Sequence, residues 1–455
     1  MKAIYCLIQR GVLLTGLLAG AAHAAVPADE AARLQSDLTP IGAERAASAD
    51  GKIPAWDGGL KSTQPALTGN GTPADPYANE KPLFTIDASN YSQYKAQLSP
   101  GQIALLQRFP DTFRLPVYPS HRSVAVDAQA SAAAARNATE AKLINDGNGV
   151  QGFAGMVAFP VPKTGLEVLW NHLTRNRNPS FSLTTDSAAP QKDGAYTIMT
   201  TLQYFSRREA VSGLKPDEAG NILYYYSHKI TAPSRMVGEV VLVHETLDQV
   251  AEPRLSWVYN AGQRRVRRAP SVAYDTAGPT TAGMRTADSR DMFNGAPDRY
   301  EWKLVGKKNL YVPYNSYRLA SPELKYETLL KPGHINPDAT RYELHRVWEV
   351  VGTLKPGMRH IYSKRHYFID EDTWAILEAD HYDNRGELWR VGEAHSYYHG
   401  VGQAAVNALE ITYDLNNGRY LASGLTNEQR QPFDFTYKAS ASDYSPGALR
   451  SKGLR

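Results

Sequence analysis

The sequence predicts a mainly β, α+β chain: a strongly curved antiparallel sheet, a few helices and an irregular N-terminal arm. Three observations carry this. Strand-like segments follow one another through the second half of the chain, divided by short turn sequences such as NAGQ, LKPG, DEDT, DNRG and NNG. Links that short join antiparallel neighbours, and no alternation of strand and helix appears. Several strands are apolar on both faces, so each side of the sheet is kept from water.

The order of elements starts with an export signal. Lys2 and Arg10 precede the apolar run GVLLTGLLAG, and Ala22-His23-Ala24 supplies a small-x-small cleavage site. A secretory signal peptide over residues 1–24, cleaved after Ala24, is expected, with a retained anchor as the alternative. The run is too short to span a bilayer as a finished helix. Cys6 is the only cysteine and falls inside that segment. A disulfide scaffold, a cysteine nucleophile and a cysteine-ligated metal are thereby excluded from the mature chain. A periplasmic protein is expected; an outer-membrane barrel is the competing expectation, against which stands a chain ending Gly453-Leu454-Arg455 rather than in an aromatic residue.

Residues 25–116 read as an irregular arm packed on the main body, and residues 117–455 as the β domain. Pro- and Gly-rich stretches such as IPAWDGGL and GTPADPYANEKP punctuate the arm. LSPGQIALLQRFP predicts a helix over about 100–109, and AVDAQASAAAARN another over about 125–137. FPVPKTGLEVLWNHLTRNRN holds a third, with Leu166, Leu169, Trp170 and Leu173 at helical spacing; these are read as core, not as a cofactor box.

Strands are then expected in TIMTTLQYFSR, NILYYYSHKI, GEVVLVHET, RLSWVYN, RRVRRA, YEWKLVG, YELHRVWEVVG, MRHIYSKRHYFID, AILEADHYD, ELWRVGEAHSYY and ALEITYDL. In NILYYYSHKI, alternation puts Ile222, Tyr224, Tyr226 and Ile230 on one face and Leu223 and Tyr225 on the other. In GEVVLVHET, Val241 and Val243 oppose Val240 and Leu242; in YELHRVWEVVG, Tyr342, Leu344, Trp348 and Val350 oppose Val347 and Val351. Few helices are available to cover two such faces. A curved sheet enclosing an interior satisfies the pattern, and an interior left unfilled is an apolar cavity. A packed core or a β-sandwich without a cavity satisfies it equally. One connection, residues 271–298, is long, aperiodic and rich in Gly, Thr and Asp, which marks a functional loop or a disordered one.

The chemistry-bearing motifs are sparse. GxSxG, GxxxxGK, HExxH and GxGxxG are absent. His345, His360, His366, His381 and His395 lie on strands, where a satisfied core or surface role outweighs metal binding. The acidic runs around Asp370, Glu371 and Asp372 and around Asp380, Asp383 and Glu387 fall where turns are expected, and local hydrogen bonding accounts for them. No catalytic residue, metal or cofactor is assigned. RRVRR places four arginines within five residues, yet the chain as a whole carries 50 basic and 46 acidic residues. A nucleic-acid partner is excluded on that balance and on export. Strand alternation splits the run, so Arg264 and Arg268 are head-group contacts for an anionic ligand or members of structural ion pairs.

The segments LTPIGAERAASADGKIPAWDGG, GMVAFPVPKTGLEVLWNHL, LSWVYNAGQRRVRRAPSVAYDT, DMFNGAPDRYEWKLVGKKNLYVPYN and RHIYSKRHYFIDEDTWAILEADHYDNRGELWR resemble, in the same order, the family known as domain of unknown function 1329. Its members are described as outer-membrane lipoprotein-sorting-like proteins with a LolA/LolB-like fold. The resemblance implies an unclosed barrel plugged by helices over an apolar cavity. It also implies a periplasmic carrier for a lipid or other hydrophobic molecule, working with an inner-membrane RND/MMPL-type transporter and an outer-membrane protein. A periplasmic hydrolase acting on a lipid or glycan, and a ligand-free subunit of an envelope export complex, are the alternatives. Tyr224, Tyr226, Trp257, Tyr259, Trp348 and Tyr362 are the expected cavity wall, each with plain core as the alternative, and the 271–298 loop is the expected lid. Hiding about 300 Å² of apolar ligand surface would contribute roughly 7 kcal/mol before the costs of binding.

Overall fold

The computed structural model describes residues 26–61, 65–214, 220–269, 274–278 and 281–454. The expected export segment, with Cys6, lies outside the described residues, as does Ser271 of the long loop.

The helix expected near residue 100 is α1 (Pro100–Arg108). Ser99 and Gln102 form its capping box, and the Gln102 amide continues to the Tyr311 carbonyl at 2.8 Å, so the cap also docks the helix. Gly101 permits that docking: a Cβ there would lie 2.1 Å from Asp380 Oδ1. Next come α2 (Ala128–Glu140), N-capped by Asp127, and α3 (Gly165–Thr174), which starts at a second capping box, Thr164 with Glu167. The chain then enters the sheet: β1 (Ser180–Ala188), β2 (Met199–Arg207), β3 (Ile222–Ala232), β4 (Val240–Thr246), β5 (Leu255–Asn260) and β6 (Arg265–Arg268). After the long loop follow β7 (Tyr300–Pro313), β8 (Tyr342–Leu354), β9 (Lys364–Asp370), β10 (Ile376–Tyr382), β11 (Leu388–His399), β12 (Ala404–Asp414) and β13 (Arg419–Leu425). A short helix, α4 (Ala448–Leu454), ends the described chain.

These strands belong to one 16-stranded curved sheet that does not close. These thirteen strands run β7 to β13 in sequence, then β1 to β6 in sequence, so among them every neighbour is a chain neighbour except at one seam, where β13 pairs with β1. All these pairings are antiparallel. The free edges are β6 and β7, and the 269–299 connection runs from one to the other. The arm is less irregular than the sequence implies. Its segments Phe84–Ile86 and Leu115–Val117 pair with each other, and Val117 bridges to Tyr342.

Both faces are covered, by different material. On one face, α3 puts Val168, Leu169, Trp170 and Leu173 against Val350, Tyr367, Ile369 and Ile376 of β8 to β10. Leu105 and Leu106 of α1 and Ile53 of the arm pack against Leu344, Val391 and Ile411 on the other. There, too, α4 seats Leu449 against Tyr225, Val240, Leu242 and Tyr259. The faces expected for β4 hold; in β8, Trp348 and Val350 join the α3 cluster and Val347 packs with Leu310 and Phe368, but Tyr342 and Leu344, expected beside Val350, join the cluster of α1. In β3 a register shift between Ile222 and Tyr224 breaks the alternation. Ile222 therefore joins Tyr225 at the α4 side, while Leu223 packs with Phe205 and Tyr224.

Candidate functional site

Helix α3 fills the concavity only over β8 to β10. Over β1 to β5 a cavity of about 400 Å³ is left, bordered also by Val406 and Glu410 of β12 and Ser423 of β13. Strand register builds its floor in rows. One row runs Leu183, Gln203, His228, Val241, Val258 across β1 to β5. The next runs Phe181, Phe205, Tyr226, Val243. A polar centre, Gln203 and His228, thus sits inside an apolar surround, which is the composition of small-molecule sites.

The long loop makes the roof: Thr281, Arg285, Thr286, Arg290, Asp291 and Asn294 line the cavity. It is fastened at several points. Asp288, buried, takes Arg365 at 2.7 Å and lies 3.1 Å from His360. Burial raises the Asp288 carboxyl, but Arg365 and His360 outweigh it and hold it well below the ordinary carboxylate range. Asp291 pairs with Arg175 and, at 2.6 Å, with Arg177, both just beyond the end of α3. There too burial raises the carboxyl, and the two guanidiniums override it. The Asp291 carbonyl meets His172 of α3 at 2.9 Å. Asp291 and Met292 both take left-handed backbone, φ 54 and 65, which these contacts hold in place. Arg285 reaches Glu410 at 2.9 Å.

Inside the cavity, Arg254 pairs with Glu245 at 2.8 Å, and the Tyr224 hydroxyl donates to Glu245 at 3.2 Å. Burial, then the Glu245 charge, push the Tyr224 phenol up to about 12. Arg290 lies 3.7 Å over the Tyr226 ring and donates to Gln203 at 2.6 Å. Burial, then Arg290 and Arg285, lower the His228 imidazole to about 3, so it is neutral at physiological pH. Its Nδ1 is buried without a hydrogen-bonding partner among the described residues.

Of the expected wall residues, Tyr224 and Tyr226 line the cavity. Trp257 and Tyr259 do not: Val258 is the inward residue of β5, and its aromatic neighbours lie against α4 on the opposite face. The greasier face of that strand is the one a helix covers. Trp348 stacks on Trp374 at 6.0 Å in the half that α3 fills. Tyr362 is enclosed between His381, stacked at 4.4 Å, and Arg390, which donates to its hydroxyl at 2.9 Å. Neither Arg264 nor Arg268 reaches the cavity or an acidic partner among the described residues. Arg264 sits in the turn with φ 51, and Arg265, Arg267 and Arg268 are exposed along edge strand β6, where charge discourages further strand pairing.

The acidic runs follow expectation in part: Glu371 and Asp372 do lie in a turn, and Asp383 caps its own, accepting from the Arg385 amide at 2.8 Å. Asp370 does cap its turn, accepting from the Thr373 amide at 2.9 Å, but Glu371 and Asp372 are buried in ion pairs with Arg346 and Arg122. Asp380 is a buried residue of β10, not a turn residue. His345, Asp370 and Asp372 offer ligand atoms within 4.8 Å of one another, yet both Asp372 oxygens are taken by Arg122, so a guanidinium already supplies the cation there. The cavity-lining residues that the sequence reading missed include Arg175, Arg177, His228, Glu245 and Arg290. His228 was within reach, since alternation from Tyr224 and Tyr226 puts it on their face.

Comparison with known proteins agrees with the five-segment resemblance. The model of the family described as "Protein of unknown function (DUF1329)" matches residues 85–450. The first of the five segments precedes that span. An uncharacterized protein of Pseudomonas aeruginosa is 54% identical over 455 residues, covering 100% of both chains. Among solved structures, the chain is similar to a DUF1329 family protein from Desulfovibrio piger, at 13% identity, covering 63% of this chain and 97% of that one, with TM-score 0.43. It is also similar to a LolA superfamily protein from Nitrosomonas europaea, at 12% identity, covering 60% and 92%, with TM-score 0.36. A family model spanning most of the chain and a full-length relative more than half identical place this protein in the DUF1329 family.

Proposed function

We propose that the protein is a carrier in the bacterial envelope, holding a hydrophobic small molecule or a lipid chain in the roofed cavity and releasing it without covalent chemistry. One observation carries this reading. The concave face of β1 to β5 is left unfilled by α3, and the cavity there presents Phe181, Leu183, Phe205, Val241, Val243 and Val258 to its interior. Tyr224 and Tyr226 are its aromatic wall. A periplasmic location fits the export signal in the sequence, and among the described residues no helix is long and apolar enough to cross a membrane. Hand-off to an RND/MMPL-type inner-membrane transporter, and onward to an outer-membrane protein, is the partnership that the family resemblance implies. A hydrolase would need a carboxylate or a His–nucleophile pair at liberty in the cavity. Of the four lining carboxylates, Glu245, Asp291 and Glu410 are each paired with arginine, and only Glu239 is in no ion pair among the described residues.

Native mass spectrometry of gently purified protein, with titration of an apolar fluorescent dye, tests the reading. A co-purified hydrophobic ligand and one saturable dye site are expected. Val241→Trp, which fills the floor between His228 and Val258, is expected to abolish both, and Trp257→Ala on the opposite face to spare them. A ligand-free mass together with no saturable dye binding would refute the carrier.

A further inference from the structure

We propose that the cavity selects a singly charged organic anion, an apolar body bearing one carboxylate, which Arg290 holds beside His228. This rests on the carrier reading and narrows it to a ligand class. The charge inventory is the first ground. The cavity is lined by five arginines, Arg175, Arg177, Arg254, Arg285 and Arg290, against four carboxylates, Glu239, Glu245, Asp291 and Glu410. Four of the guanidiniums are paired: Arg175 and Arg177 share Asp291, Arg254 has Glu245 and Arg285 has Glu410. Arg290 has no carboxylate within ion-pair distance among the described residues; its contacts are the Gln203 carbonyl oxygen and the Tyr226 ring. The guanidiniums thus exceed the carboxylates by one: Arg175 and Arg177 share a single carboxylate, Glu239 is in no ion pair among the described residues, and Arg290 is the guanidinium with no carboxylate partner.

A guanidinium withdrawn from water without a counter-charge is costly, and a ligand carboxylate offsets that cost through the planar fork it shares with arginine. The second ground is His228. Its Nδ1 is buried with no partner among the described residues, in the same corner as Arg290, whose charge acts on the ring. A buried ring nitrogen without a partner calls for one from the ligand. Leu183, Phe205, Val241 and Val258 surround this corner, so the rest of the ligand is apolar. A phosphate monoester, with close to two negative charges, would leave one uncompensated.

Competition against the apolar dye, using decanoate, decanol and decyl phosphate on the whole protein, tests this. Decanoate is expected to bind about tenfold or more tightly than decanol, the value of a charge-assisted hydrogen bond. Arg290→Gln should bring the two level, Arg290→Lys should keep part of the difference, and Arg264→Gln on the exposed hairpin should keep all of it. Equal affinity of the unaltered protein for decanoate and decanol would overturn this inference and leave the carrier standing. Tighter binding of decyl phosphate than of decanoate would overturn the single-charge match. Failure of dye and all three ligands to bind would overturn the carrier reading and this inference with it.

Discussion

Replacing Asp288 by alanine is expected to be among the most damaging single changes in the roof. The Arg365 side chain is fully buried and its Nη2 donates to Asp288 Oδ2 at 2.7 Å. The other Asp288 oxygen accepts from Thr286 at 2.7 Å. The aromatic rings around Arg365, Tyr300 at 4.9 Å and Phe293 at 5.4 Å, soften its burial but supply no counter-charge. Asp288→Ala therefore leaves a stranded buried cation, at a cost of about 3–5 kcal/mol. Removing both charges is far cheaper than removing one, so Asp288→Ala/Arg365→Met should recover at least half of the loss. The pH dependence follows from the depressed carboxyl. Its contribution is fully present above the unfolded-state value of about 4 and is lost as pH falls through the lower folded-state value. Urea unfolding followed by tryptophan fluorescence at pH 7 and in acid measures all three, and amide hydrogen exchange over residues 286–298 should quicken in the single variant. A loss below about 1 kcal/mol for Asp288→Ala, or a double variant less stable than the single, would refute the account.

Asp380 titrates in the opposite sense. Burial raises its carboxyl to about 7, so between pH 4 and 7 the unfolded chain gives up a proton that the folded one keeps, and stability falls as pH rises. Asp380→Asn can still accept from the Gly101 amide, and should stabilise the protein at pH 8 by about 1–4 kcal/mol, with the gain vanishing below pH ~4 in urea unfolding curves. Trp374 is buried, and its indole N–H donates to the Ile41 carbonyl at 2.9 Å, tying the arm to the sheet. Trp374→Ala should cost about 3–5 kcal/mol, and Trp374→Phe, which keeps the apolar ring and loses the bond, about 1–2 kcal/mol in the same assay. On edge strand β6, Arg265→Val/Arg267→Val should raise self-association in sedimentation velocity; a size distribution unchanged from that of the unaltered protein would count against the edge-protection reading of that arginine run.

Which strands could be read from the sequence depended on what they bury. β4 and β8 were legible because both of their faces carry apolar residues, although in β4 only Val240 and Leu242 meet a packed layer while Val241 and Val243 face the cavity. β1 and β13 were not recognised, and they form the seam that joins the two halves of the sheet. Their obscurity has a physical cause. β1 turns Phe181, Leu183, Thr185 and Ser187 toward the cavity and Ser182, Thr184 and Asp186 the other way, so neither face carries an unbroken apolar file. β13 offers Ser423 and Gly424 to the cavity. At this seam the two strands offer the cavity hydroxyls and a glycine among few apolar side chains, and the period of two that marks a strand fades there. Conversely, the most aromatic face in the sequence, Trp257 with Tyr259, pointed away from the site because dense aromatic packing belongs to a filled interface, here the one beneath α4. Of the six rings expected on the wall, Tyr224 and Tyr226 line the cavity and the other four pack elsewhere in the fold.

The same economy explains why the roof comes from the long connection. In a meander whose order is β7 to β13 followed by β1 to β6, the link from β6 to β7 has to run from one free edge to the other. Pairing those edges directly would close the barrel with a ladder of backbone hydrogen bonds. The chain instead places exposed arginines on β6 and fastens its crossing segment through side chains: Asp288 to Arg365, Asp291 to Arg175 and Arg177, Arg285 to Glu410. The anchors differ in depth. The Asp288 pair is buried at 2% side-chain exposure or less, while Arg285 and Glu410 are 16% and 10% exposed beside the cavity. Partly hydrated pairs separate at lower cost than buried ones. The roof is therefore strongest where it joins the packed half of the sheet and weakest over the cavity. On the proposed carrier reading, that gradient would give a ligand a way in and out without unfolding the strands around the cavity.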